Sequence, residues 1–194
     1  MLAVIDPSHG GDERGAALSD ALSEKNVTLG FARLLRHEME TRGFSVLMLR
    51  DADTTLTLDQ RAGAANASRA TVFLTLHASS QGSGVRVYTA LLPVGSGSSG
   101  VFQPWNTAQA SSLQVSQNLA AAIVGQLQRK QMPARSLSAS IRPLNNVQMP
   151  AVAVELAPGP AGMADLPSAS YQQRTAAAIA DALVSLRDRI GTQP

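Results

Sequence analysis

The chain has 194 residues, 44% of them hydrophobic and 15% charged, which is enough apolar content for one globular domain and too little charge for a disordered one. A formal charge of +2, with no Lys/Arg cluster interleaved with aromatics, argues against a nucleic-acid partner. The absence of cysteine removes thiolate catalysis, cysteine-type zinc sites and disulfides, and no apolar run is long enough to span a membrane.

In chain order, residues 2 to 6 form a short apolar strand that runs into Pro7, Gly10 and Gly11, so His9 is held in a turn at the strand's end. A polar loop through Asp12, Glu13 and Arg14 leads to Ser23, an N-cap candidate, with Glu24 in the first helical turn. Val27, Phe31, Leu34, Leu35 and Met39 recur at helical spacing, and Gly43 ends that helix before a strand over 44 to 49. Thr57 and Gln60 make a capping-box pattern opening a helix through Asn66. Residues 71 to 76 read as another apolar strand, ended by His77, and Val85 to Tyr88 as a further strand of alternating character.

Residues 93 to 112, rich in Gly, Ser, Gln and Pro, read as a flexible insertion. Beyond it Leu119, Ile123 and Leu127 mark a helix, 150 to 156 an apolar strand, and Ile179, Leu183, Leu186 and Ile190 the core face of a last helix. Strands alternating with helices predict a single α/β domain, residues 1–194, with a mostly parallel (mixed) sheet and helices on both faces.

Histidine and acid placement carries the chemistry. His9 and His77, two of three histidines, both end strands, and neutral imidazole is the commonest protein ligand of zinc. A zinc site needs a third protein ligand. Glu24 is a candidate, although the helix macrodipole alone favours an acid there. Between Asp59 and Glu155 there is no Asp or Glu at all. Glu155, late on an apolar strand, must be paired, metal-bound or exposed at the strand's end; as a plain ion pair its partner would be Arg86 or Arg142.

Other patterns fail. His37-Glu38 starts like a zincin helix, but Thr41 stands where the second histidine must be. Gly95 to Gly100 matches the glycine spacing of a dinucleotide site, yet no helix pattern follows and Pro104 interrupts. Asp181 and Asp188, opposite the apolar stripe of the last helix, read as solvated charges.

The ordered set Ile5-Asp-Pro-Ser-His-Gly-Gly11, Ser23-Glu-Lys25, Leu49-Arg-Asp-Ala-Asp53, Leu58-Asp-Gln-Arg61, Ala65-Asn66, Phe73-Leu-Thr-Leu-His-Ala78 and Pro150-Ala-Val-Ala-Val-Glu155 resembles the zinc-dependent N-acetylmuramoyl-L-alanine amidases of the amidase 3 type. The resemblance implies a Zn2+ ion on His9, Glu24 and His77, with Glu155 as the catalytic carboxylate. It further implies hydrolysis of the amide between N-acetylmuramic acid and L-alanine in peptidoglycan by a zinc-activated water, by a monomer outside the cytoplasm. With no signal peptide before the first strand, the chain is expected to be the catalytic domain of a longer precursor.

Three departures bear on substrate fit: Ser8 replaces a customary Gly, Ser79 a customary Asn, and Leu156 to Pro160 a customary Gly-Phe and Ser-Asn continuation. They motivate two alternatives, an inactive wall-binding domain and a zinc hydrolase of another peptide amide. Some similar amidases are blocked by a glutamate from an inserted helix; residues 78 to 154 here contain no Asp, Glu or His to play that part.

Overall fold

Side chains alternate across a strand, so each strand of this chain sorts its residues into two faces. On β1 (Leu2–Pro7), Ala3 and Ile5 face one way and Val4 and Asp6 the other. On β3 (Val72–Ala78), Val72, Leu74 and Leu76 share the first face, while Phe73, Thr75 and His77 share the second. The computed structural model describes residues 1–93 and 105–187. Its other elements are α1 (Glu24–Glu40), β2 (Ser45–Met48), α2 (Leu58–Ala67), β4 (Val85–Ala90), α3 (Leu113–Arg129), β5 (Ala134–Ala139), β6 (Ala151–Leu156) and α4 (Ala169–Ser185). Six strands make one sheet in the order β2-β1-β3-β6-β4-β5, parallel throughout except where β4 meets β6.

Helices α1, α3 and α4 cover the first face, burying Phe31, Leu35, Leu119, Ile123, Ile179 and Leu183 against it. At roughly 1.5–3 kcal/mol for each such side chain, this layer is the main hydrophobic term of the fold. Among the described residues the second face is covered by Ala62 and Ala65 of α2, by a segment carrying Leu144, Val147 and Met149, and by the part-buried Leu92, Leu113 and Ile141. Because α2 buries alanines, it depends more on its start, where the expected capping box forms. Thr57 Oγ1 accepts the Gln60 N–H at 3.1 Å, and Gln60 Oε1 accepts the Thr57 N–H at 2.8 Å.

The sheet is mixed and mostly parallel with helices on both faces, as expected, and several local readings change. Strand β5 went unread because all but its ends are exposed, so Ala-Arg-Ser-Leu-Ser-Ala carries no one-sided apolar pattern. Part of the 93–112 stretch lies outside the described residues. Trp105–Thr107 forms a turn of 3-10 helix, and Gln109 is fully buried. Ser23 takes the N-cap position of α1, but its hydroxyl is buried and makes no capping bond. Asp181 is not merely solvated; Arg42 Nε reaches it at 2.9 Å and Lys130 Nζ at 3.1 Å, tying α4 to the ends of α1 and α3. Asp188 and Ile190 lie outside the described residues.

Candidate metal centre

The turn after β1 needs support, because His9 sits at φ 64°, where side chains other than Gly are disfavoured. Two buried arginines provide it. Arg50 donates to the carbonyls of Pro7 (2.8 Å) and Ser8 (3.1 Å), and Arg61 to those of Pro7 (2.9 Å) and His9 (2.8 Å). Lys25 Nζ bonds the Gly11 carbonyl at 2.7 Å and Asp53 at 2.6 Å, and Asp53 accepts the Gly11 N–H. Gly10 is required outright: at φ 136° a Cβ would stand 2.3 Å from the Thr54 carbonyl. The Arg50–Asp53 and Arg61 segments thus brace the turn.

The turn brings His9 to Glu24 and His77. One ligand atom from each lies within 4.8 Å of the others. Glu24, at the start of α1, is buried; its Oε1 is 2.9 Å from His77 Nδ1 and its Oε2 is 3.2 Å from His9 Nε2. The backbone N–H groups of Ala16 and Ala78 also donate to this carboxylate, at 2.9 and 3.2 Å. Burial opposes its charge, but His77, His9 and the Ala16 N–H outweigh that and hold it well below the usual carboxylate range. His9 is pushed up, chiefly by Glu24. Its other nitrogen, Nδ1, meets Glu13 at 3.3 Å. Two imidazole nitrogens and an ionised carboxylate converging on one point make the donor set zinc takes in hydrolytic sites, so the residues fit the ion.

Glu155 stands beside this cluster. It is the register partner of His77 across the parallel β3–β6 pair, so the two side chains share a face. Its Oε1 accepts from Arg86 at 2.7 Å and its Oε2 from the Tyr88 hydroxyl at 2.8 Å. Arg86, not Arg142, is therefore its ionic partner, and Arg142 pairs with Asp59. Burial and the hydrogen bond to Glu155 push the Tyr88 phenol up, so it stays protonated and donates. Glu155, Glu24 and His77 line one hollow of about 380 Å³, walled also by Ala16, Ala78, Ser79, Tyr88 and Ile141.

The model of one protein family, described as N-acetylmuramoyl-L-alanine amidase, matches residues 3–185. The chain belongs to the N-acetylmuramoyl-L-alanine amidase family. Members of this amidase family are zinc hydrolases, and the His9, Glu24 and His77 cluster fits a zinc site. The amidase AmiC of Neisseria meningitidis serogroup B is 38% identical over 88 residues, which is 42% of this chain and 21% of that protein. The chain thus spans about a fifth of the length of that relative. The structure of amidase AmiC2 of Nostoc punctiforme superimposes with a TM-score of 0.72 at 26% identity, covering 97% of this chain and 98% of that one. Ami1 of Mycobacterium smegmatis has a TM-score of 0.77 at 23% identity over 100% and 98% of the two chains, a likeness of fold.

Within this amidase fold, all four residues singled out in the sequence meet at the carboxyl ends of β1, β3 and β6 and the first turn of α1, the usual ligand edge of an open α/β sheet. Reasoning along the chain offered Arg86 only as one of two ionic partners for Glu155, and missed Tyr88 and Gly15. The alternation Val85-Arg86-Val87-Tyr88 puts the two polar residues on one face, and this signal was available. For Gly15 no local signal exists: a Cβ there would come within 2.6 Å of His9 and 2.7 Å of Glu24.

Proposed function

We propose that this domain hydrolyses the amide joining the lactyl group of N-acetylmuramic acid to L-alanine in peptidoglycan, outside the cytoplasm, with Glu155 as proton carrier. The observation that carries this reading is a His–Glu–His metal set of which two members, Glu24 and His77, share a hollow with a second, separately held carboxylate, Glu155. All four groups come from a single chain, so a monomer suffices.

His9, Glu24 and His77 would hold the ion. When bound, zinc supplies a Lewis acid for the amide carbonyl and lowers the pKa of a bound water from 15.7 to roughly 7. Glu155 accepts the proton of the attacking water on a carboxylate oxygen and delivers it to the departing amide nitrogen. Arg86 and Tyr88 each occupy one oxygen of Glu155 from the side, which fixes its rotamer while leaving lone pairs free for that proton. Ala16, Ala78, Ser79 and Ala153 keep the wall small, leaving room for the scissile amide and its methyl substituents. Ser79 on that wall, in the place of a customary Asn, also supports a second reading in which the same chemistry acts on another peptide amide.

The test is mass spectrometry of purified peptidoglycan digested by the zinc-loaded domain. Stem peptides with a free L-alanine amino terminus and glycan carrying free lactyl groups are expected, and a chelator should abolish both. Cleavage at a different amide would select the second reading, and no cleavage by zinc-loaded protein would overturn the proposal.

A further inference from the structure

Ser8 occupies the one position of the ligand turn where this chain carries a hydroxyl in place of the customary glycine. Its side chain is buried, and it makes two contacts of 3.0 Å: one to His77 Nε2, the other to Thr75 Oγ1. Thr75 Oγ1 in turn lies 3.1 Å from Asp6 Oδ2, and the other oxygen of Asp6 pairs with Arg61. Asp6, Thr75, Ser8 and Arg61 are buried, so water does not compete for the bonds that join them, while His77 at the end of the line is part-exposed.

Proton counting gives this line a direction. A carboxylate ion-paired with a guanidinium only accepts, so the single hydroxyl hydrogen of Thr75 goes to Asp6. Thr75 then has only lone pairs left for Ser8, and the single hydrogen of Ser8 goes to Thr75. Ser8 therefore accepts from His77, and that requires a proton on Nε2. In the opposite sense Ser8 would donate to His77 and leave two hydroxyl oxygens in contact with no proton between them, an unfavourable arrangement for buried groups. The consequence falls on the other ring nitrogen. With its proton on Nε2, His77 turns the lone pair of Nδ1 toward Glu24 Oε1, 2.9 Å away. Two electron-rich atoms at that distance need a cation between them, a second proton in the metal-free protein and the ion itself once it is bound.

We infer that Ser8 is a positioning residue for the metal: the Asp6–Thr75–Ser8 line, anchored by Arg61, locks the His77 tautomer so that Nδ1 is the ligating nitrogen. The backbone holds Ser8 to the task, since its carbonyl accepts from both Thr28 Oγ1 (2.9 Å) and Arg50 (3.1 Å) and its N–H bonds the Leu76 carbonyl (3.1 Å). The inference rests on the metal set and is independent of which amide the domain cleaves.

The experiment reads metal affinity and tautomer rather than turnover. Zinc affinity is measured by competition with a chromophoric chelator, and the ring nitrogens of His77 are assigned by 15N NMR in the zinc-loaded protein. The wild type is expected to show zinc on Nδ1 and a proton on Nε2. Ser8→Ala removes the acceptor, and Thr75→Val frees the Ser8 hydrogen to point at Nε2. Each is expected to weaken zinc binding about 10- to 100-fold, the usual effect of losing an outer partner of a ligating histidine. Melting of the metal-free variants separates this from a fold defect. Unchanged zinc affinity in folded Ser8→Ala and Thr75→Val would overturn the inference. So would zinc on Nε2 of the wild type, a result that needs no variant to fold. Zinc binding as described without peptidoglycan cleavage would instead count against the proposed reaction alone.

Discussion

A carboxylate late on an apolar strand needs a reason to be there, and Glu155 has two. It is ion-paired with Arg86, and it faces the same hollow as His77 and Glu24. Glu155→Gln keeps the shape and a partner for Tyr88 but cannot take a proton from water, so turnover should fall about 10²- to 10⁴-fold with zinc retained. Near-normal turnover at full zinc occupancy would leave Glu155 a structural residue. Gly15→Ala acts on the ligands themselves, because at φ 67° the new methyl meets His9 and Glu24. Metal analysis should find much less than one zinc per chain in this variant; full occupancy would mean that the loop yields freely. His9, His77 and Glu155 stood out because the chain has three histidines, no acid between Asp59 and Glu155, and all three near strand ends, whereas Glu24, at a helix start, was only a candidate until the family resemblance assigned it. Ser8, Gly15, Arg86 and Tyr88 act across 6 to 69 positions of chain, and their partners are set by register and close approach rather than by their own neighbours in sequence.

Among the elements, the stretch before α3 changes meaning most. Read by composition, 105–112 belongs to a Gly/Ser/Gln-rich loop. In the fold, Gln109 works as an internal brace: its Nε2 donates to the carbonyls of Val147 (2.7 Å) and Met149 (2.6 Å), and its Oε1 accepts from Ser116 (2.9 Å). A glutamine looks like a surface residue until its partners are known, and these lie 38 and 40 positions away. Gln109→Ala leaves the Val147 and Met149 carbonyls without this partner, while the Ser116 hydroxyl keeps the Ser112 carbonyl and the Ala151 N–H, and should cost about 3 kcal/mol in chemical denaturation. A loss under about 1 kcal/mol would show that the segment merely rests on the sheet. Helices with a strong apolar stripe were legible, α1 to within a few residues and α3 by its core positions Leu119, Ile123 and Leu127, since 3.6-residue periodicity survives without tertiary knowledge.

On the scale of the whole molecule, the direction of β4 matters most. Running antiparallel to β6, it begins beside Glu155 and ends at the opposite edge of the sheet, so it delivers Arg86 and Tyr88 to the site from its first residues. The same reversal sends the chain after Ala90 away from the metal ligands. Beyond the undescribed stretch, Gln109 and Ser112 pin the chain to the Val147–Met149 carbonyls that precede β6, again at that far edge. With no Asp, Glu or His between 78 and 154, this excursion offers no charged group to block the ion. The isolated domain should therefore turn over without an activating partner. Deleting residues 95–104 should alter the Michaelis constant more than the basal rate, and a rise in basal turnover by orders of magnitude would identify the segment as an inhibitor.

His77 also has a place in two hollows at once. Besides the one it shares with Glu155, it borders a second of about 430 Å³ between Thr55–Leu58 and Pro143. Two hollows that meet at one ligand give a substrate room on either side of His77, as a chain cut along its length needs and a chain cut from its end does not.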